Sequence, residues 1–192
     1  MDSRQRRTQE KLYSAILSLA EDRAIGEITA SETAAKAGVN RSTFYEHAES
    51  PAHLLRAALR AEMQAIQDDI YDDVPEHTAD NNLKATHAVL DHVERYASIY
   101  SRGLGRNDDT ALHSMLSGVF RGTVEKMIEH GVIELPASLT QAPGPEAFAR
   151  FLGDGTVGVV DAWLAGPAPR THDRFIEIYG SVLPGWWPYT AD

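Results

Sequence analysis

Five side chains within seven residues, Arg41, Ser42, Thr43, Tyr45 and His47, are of the types that grip nucleic acid. A guanidinium presents a rigid fork to guanine or to a phosphate, and hydroxyls such as those of Ser42 and Thr43 meet phosphates or base edges. The stiff ring of Tyr45 ends in one hydroxyl suited to a phosphate, and His47 offers an imidazole at the end of the same stretch. These groups act together only on the outward surface of one short helix. Phe44, in their midst, is the apolar anchor that turns such a helix inward.

The neighbouring residues supply that helix and a support for it. Asn40 is a good N-cap for a helix over 41–47. Gly38 adopts a positive φ at little steric cost, so it ends a preceding helix and starts a sharp turn, with Val39 as the turn's apolar residue. That preceding helix is expected over 30–37. Thr29 and Glu32 stand at the spacing of a capping box, and Ala34, Ala35 and Ala37 leave room for a close neighbour. Two short helices about a tight turn form a helix-turn-helix, whose second helix enters the major groove of DNA. Residues 9–22 give one more helix, with Leu12, Ile16, Leu19 and Ala20 on one stripe.

This stretch resembles the TetR family of bacterial transcriptional regulators. The matching residues are Ile28-Thr29, 34–39 (AAKAGV), Ser42-Thr43-Phe44-Tyr45, His47 and Leu54-Leu55, and the resemblance covers about the first 55 residues. It implies homodimers that bind palindromic double-stranded operator DNA and release it on binding a small-molecule effector. Repression is the family's commoner role. Thr29, Arg41, Ser42, Thr43, Tyr45 and His47 are the expected DNA-binding residues. Three positions depart from the family pattern: Ala48 replaces a usual Phe, Pro51 a frequent Lys, and Thr33 a usual Ile or Val. The alternative these departures leave is a helical interaction protein of the same fold with weakened DNA binding.

A chain of 192 residues buries a good core and fits one large or two small domains. It has no cysteine, which excludes disulfides and thiolate chemistry. No apolar run is long enough for a bilayer, and the start MDSRQRRTQEK lacks a secretory signal, so a cytoplasmic protein with no membrane partner is expected. The net charge of −10 is unevenly spread. Residues 1–60 carry nine Lys and Arg against eight Asp and Glu, whereas 61–192 carry nine against twenty. An acidic body repels DNA and discourages non-specific binding, while the first part stays near neutral with local basic clusters. Arg4, Arg6 and Arg7 form one such cluster ahead of the first expected helix, open to reading as an arm that reaches DNA or as a solvated tail.

The expected fold is all-α: a three-helix DNA-binding domain over 1–50 and a helical ligand-binding and dimerisation domain over 51–192. A long helix from Pro51 to about Asp73 carries the stripe Leu55, Leu59, Met63, Ile66 and Ile70, and Pro75 closes it. Further helices are expected over 82–95, 97–104, 108–130, 145–164 and 171–182. Pro136 and Pro143 mark a loop over 133–144, GPAP over 166–169 separates the last two helices, and the tail PGWWPYTAD reads as irregular. By resemblance the last two helices pair with their copies in a dimer, through Phe151, Gly155, Gly158, Val159, Phe175, Ile178, Tyr179 and Val182. The opposing reading has these stripes completing the protomer's own core. An effector pocket is expected among the middle helices, lined by Met63, Ile66, His87, Leu90, Tyr100, Met115, Val119 and Phe120, where Met adapts and Tyr or His adds a polar handle.

Other chemistry finds little support. His87 and His92 are five residues apart, a poor spacing for one helix face, and there is no HExxH. Asp68, Asp69, Asp72 and Asp73 read as a solvated helix end rather than a cation site. No strand precedes a Gly-rich phosphate loop. The expectation is therefore a non-enzyme with no cofactor and no metal.

Overall fold

The computed structural model describes residues 3–71, 79–105, 109–167 and 169–187. Expectations that fall on Asp72, Asp73, Pro75, Asp108, residue 168 and 188–192 lie outside the described residues, as do the side chains of Asp69 and Ile70. All described elements are helical, as the periodicity predicts: α1 (Ser3–Asp22), α2 (Ala30–Ala37), α3 (Arg41–His47), α4 (Pro51–Tyr71), α5 (Ala79–Arg95), α6 (Ala97–Leu104), α7 (Thr110–Glu129), α8 (Gly144–Ala165) and α9 (His172–Val182). The chain divides into two compact units, Met1–Glu62 and Met63–Asp192. Helix α4 begins in the first and ends in the second.

In the first unit, α1 packs on α2 and α2 on α3. The core is built from Leu12, Ile16, Leu17 and Ala20 of α1, Ala34 and Ala37 of α2, and Phe44 of α3, all buried. Leu54, Leu55, Ala58 and Leu59 of α4 are buried as well. Helix α1 starts at Ser3, earlier than the apolar stripe indicates. Arg4, Arg6 and Arg7 are therefore helical rather than an extended arm. The stripe missed them because those first turns are polar and carry no apolar periodicity. Arg6 lies 3.8 Å from Glu10, one turn on.

In the second unit, α7 and α8 make the most extensive helix contact, and α6 and α9 also pack on α8. Gly153 permits the closeness of α7 and α8: a Cβ there would stand 2.7 Å from the Ser117 carbonyl oxygen. One core cluster joins Val124 and Met127 of α7, Phe148, Ala149 and Leu152 of α8, Ile133 and Trp187. Trp187 comes from the tail that reads as irregular, and Phe148 lies between it and Trp186 at ring-centre distances of 6.2 and 5.1 Å. The 133–144 segment holds a short 3-10 turn over Ala137–Leu139. Helices α7 and α9 open on side-chain caps: Asp109 accepts the N–H groups of Ala111 and Leu112, and Thr171 that of Arg174.

Candidate nucleic-acid interface

The turn between α2 and α3 is built by local hydrogen bonds. Thr29 and Glu32 form the capping box in full. The Thr29 N–H donates to Glu32 Oε2 at 2.9 Å, and the Glu32 N–H donates to Thr29 Oγ1 at 3.2 Å. These bonds satisfy donors that a helix start leaves open. The backbone N–H of Thr29, then its hydroxyl, then Arg23 hold the Glu32 carboxyl below its ordinary range. At the other end Gly38 takes φ 68°, and the Val39 N–H reaches the Ala34 carbonyl at 2.9 Å. Asn40 has the extended backbone of an N-cap, but its side chain makes no capping bond.

Helix α3 hangs on Phe44, which is fully buried. Burial of such a ring contributes about 1.5–3 kcal/mol, enough to fix which face of a seven-residue helix points inward. Arg41, Ser42 and Tyr45 are exposed, and Thr43 and His47 half-buried. Tyr45 stands edge-on to Phe44 with ring centres 5.3 Å apart. The guanidinium of Arg41 lies 5.5 Å from the Tyr45 ring centre and donates to its hydroxyl at 3.3 Å, a bond that raises the Arg41 pKa further. Thr29 is exposed, but its hydroxyl is committed to the capping box, where it also donates to Glu32 Oε2 at 2.8 Å.

One groove borders this surface, and a second lies between α1 and α2. The first is lined by Arg4, Gln5 and Thr8 of α1 together with Thr43, Glu46 and His47 of α3. The structure thus brings Arg4 to Thr43 and His47, the two half-buried residues of the expected set on α3. The other groove holds three cations, Arg7 and Lys11 of α1 and Lys36 of α2. Lys11 and Lys36 escaped the sequence reading because they belong to no local cluster. Only the packing of α1 on α2 assembles them.

The departures have structural consequences. Thr33 is fully buried, and its hydroxyl donates to the Thr29 carbonyl at 3.0 Å, so a polar group sits in the core without an unmet donor. Ala48 is buried, and its N–H bonds the Phe44 carbonyl at 2.9 Å. Pro51 begins α4, capped by Ser50, whose Oγ accepts the His53 N–H at 3.1 Å.

No protein-family model and no curated protein matches the chain. Solved structures do. The fatty acid degradation regulator FadR from Bacillus halodurans is 15% identical, with TM-score 0.60 over 92% of this chain and 95% of its own. A TetR-family transcriptional regulator from Streptomyces coelicolor is 21% identical, with TM-score 0.61 over 90% of this chain and 81% of its own. The chain has the TetR-family regulator fold. Both neighbours are described as regulators, the second as a transcriptional one. No helix among the described residues is long and apolar enough to cross a membrane.

Within this TetR-type fold, the residues expected at a dimer face separate into two groups. Phe151, Gly155 and Gly158 are exposed along one side of α8, Phe151 at 68% of its surface, and Val182 of α9 is 61% exposed. A Cβ added at Gly155 or Gly158 meets nothing within 4 Å. Val159 and Ile178 are half-buried. Phe175 instead points into the protomer, edge-on to Trp163 at 5.6 Å. Tyr179 stacks on Phe175, and its hydroxyl meets Thr156 at 3.0 Å. Burial pushes the Tyr179 phenol pKa up, and the Thr156 bond opposes that shift.

The expected pocket residues separate too. Met63, Leu90, Tyr100, Met115 and Val119 are buried, and Ile66, His87 and Phe120 half-buried. Tyr100 is brought to Met63, its hydroxyl 3.9 Å from the sulfur, and to His92, 2.9 Å from Nε2. His92, absent from the expected set, thus joins that buried polar contact. His87 instead faces His172 of α9.

Proposed function

We propose that the chain is a ligand-responsive transcriptional regulator, a repressor, that binds a palindromic operator as a homodimer and is released by a small apolar or aromatic effector. The observation that carries this reading is the outward surface of α3. Arg41, Ser42 and Tyr45 are exposed on a helix pinned by Phe44, beyond a turn fixed by Gly38. Arg41, Ser42, Thr43, Tyr45 and His47 are assigned to DNA. Thr29 serves through the capping box that positions α2.

Two reading heads on symmetric half-sites require a two-fold dimer. The exposed side of α8 (Phe151, Gly155, Gly158), with Val159, Ile178 and Val182, is assigned to it. Phe175 and Tyr179 support that side from inside the protomer. The effector is assigned to the second unit, among Met63, Ile66, Leu90, Tyr100, Met115, Val119 and Phe120, with Tyr100 as the polar handle, since His87 is engaged with His172. An effector releases DNA only through tighter binding to the conformation that does not hold DNA. Helix α4 joins Met63 and Ile66 covalently to the reading head.

Binding to a 30-base-pair duplex at stepped salt concentrations tests the DNA assignment. The expected result is affinity that falls linearly on a log–log plot, from counterion release, and a loss of binding in Arg41→Ala/Tyr45→Ala. A wild-type protein with no salt-dependent affinity for DNA would favour the interaction-protein reading.

A further inference from the structure

Three metal-ligating side chains from two helices meet in the second unit, at a place the DNA-binding reading does not use. Asp91 and Glu94 stand one turn apart on the exposed side of α5, and His172 opens α9. The three ligand atoms all lie within 4.8 Å of one another. His172 Nε2 is 3.7 Å from Asp91 Oδ1 and 3.5 Å from Glu94 Oε2. That nitrogen is buried and makes no hydrogen bond.

The spacing is long for a hydrogen bond and compatible with shared coordination. An N–H···O bond prefers about 2.7–3.2 Å, shorter than either distance, and a single imidazole N–H serves only one carboxylate well. Two ligand atoms each about 2.1 Å from a tetrahedral zinc ion stand about 3.4 Å apart. The carboxylates flank Nε2 as co-ligands of one ion would, and both are exposed enough to close on it.

The far side of the ring fits the same role. His172 Nδ1 lies 3.1 Å from His87 Nδ1. When His172 donates from Nδ1 to His87, the Nε2 lone pair is directed at the carboxylates. A metal-bound imidazole is held in this way, its second nitrogen donating to a neighbour that fixes tautomer and ring orientation. Trp163 of α8 stands 6.2 Å from the His172 ring, centre to centre.

We propose that Asp91, Glu94 and His172 bind one late first-row divalent cation, with His87 as the residue that positions His172. One imidazole and two carboxylates suit Zn²⁺ or Co²⁺, whereas Mg²⁺ and Ca²⁺ take oxygen donors. Three protein ligands leave a fourth position for water or an exogenous donor. The ion ties α5 to α9. It eluded the sequence pattern because its nitrogen ligand comes from a helix remote in sequence from the acidic pair.

The test uses the full chain, stripped of metal by chelation and dialysis, and Co²⁺ as the optical probe. Wild-type protein should develop visible ligand-field bands that saturate at one Co²⁺ per chain and are displaced by Zn²⁺. His172→Ala and the double variant Asp91→Ala/Glu94→Ala should lose the bands while keeping wild-type helicity by circular dichroism. His87→Ala should bind about 10–100-fold more weakly. His113→Ala, which alters a separate His–Asp pair with Asp154, should bind like wild type. Absence of the bands in wild type, or their persistence in the double variant, overturns the site. Neither result bears on DNA affinity, so this inference stands or falls apart from the proposed function.

Discussion

Arg41 and Tyr45, one turn apart on α3, are a coupled pair: the guanidinium lies 5.5 Å from the phenol ring centre and bonds its hydroxyl at 3.3 Å. Each side chain thus helps to hold the other on the exposed face of α3. Arg41→Ala should weaken operator binding about 5–150-fold, the equivalent of one good base-edge contact. Tyr45→Phe should weaken binding to operator and random DNA alike, as loss of a phosphate contact does. Because each residue holds the other, the double variant should lose less than the product of the two single effects. Binding isotherms on both DNAs measure all three, and unchanged operator affinity in both single variants would remove α3 from the interface.

The cap of α2 sets a pH dependence. The folded-state pKa of Glu32 is depressed, so its contribution is present above the unfolded value of about 4.3 and is lost as pH falls through the folded value. Glu32→Gln should flatten the acid limb of the stability profile. Thr29→Ala should cost about 0.5–2 kcal/mol at neutral pH, typical of a lost N-cap. Urea unfolding at pH 7 and below pH 4 checks both signs.

Two glycines of α8 should behave oppositely. Gly158 faces open space, so Gly158→Arg should fold with native helicity yet sediment as a monomer and lose operator binding. Gly153 faces the Ser117 carbonyl, so Gly153→Ala should destabilise the fold itself by about 1–3 kcal/mol. Sedimentation with thermal melts separates them, and a folded, dimeric Gly158→Arg protein would move the interface off this side of α8.

Pro51 at the start of α4 carries no charge for a phosphate. Pro51→Lys should steepen the log–log salt dependence by about 0.9 per added contact. An unchanged slope would mean that position 51 does not face the DNA backbone.

The legible parts of this chain are those coded by local chemistry. Thr29 with Glu32, Gly38 and Phe44 act through neighbours within a few residues, and the structure gives α2 and α3 the expected bounds. The start of α1 was not legible, because its first turns carry Arg4, Arg6 and Arg7 and no apolar stripe. Trp187 looks like a frayed tail residue until α7 and α8 create the core that receives it. Phe175 lies on an apolar stripe of α9, but the stripe cannot say that Trp163 takes it inward. Lys11, Lys36 and the Asp91–Glu94–His172 cluster exist only through packing between helices.

Selection from a random-sequence duplex pool tests the central claim most directly. The full chain, immobilised at physiological salt, should enrich inverted repeats whose half-sites lie about one helical turn apart, matching two α3 helices on one two-fold axis. The Arg41→Ala/Tyr45→Ala variant should enrich nothing. Failure of the wild-type chain to enrich any sequence, or enrichment of sites without two-fold symmetry, would contradict a dimeric regulator that reads DNA through α3.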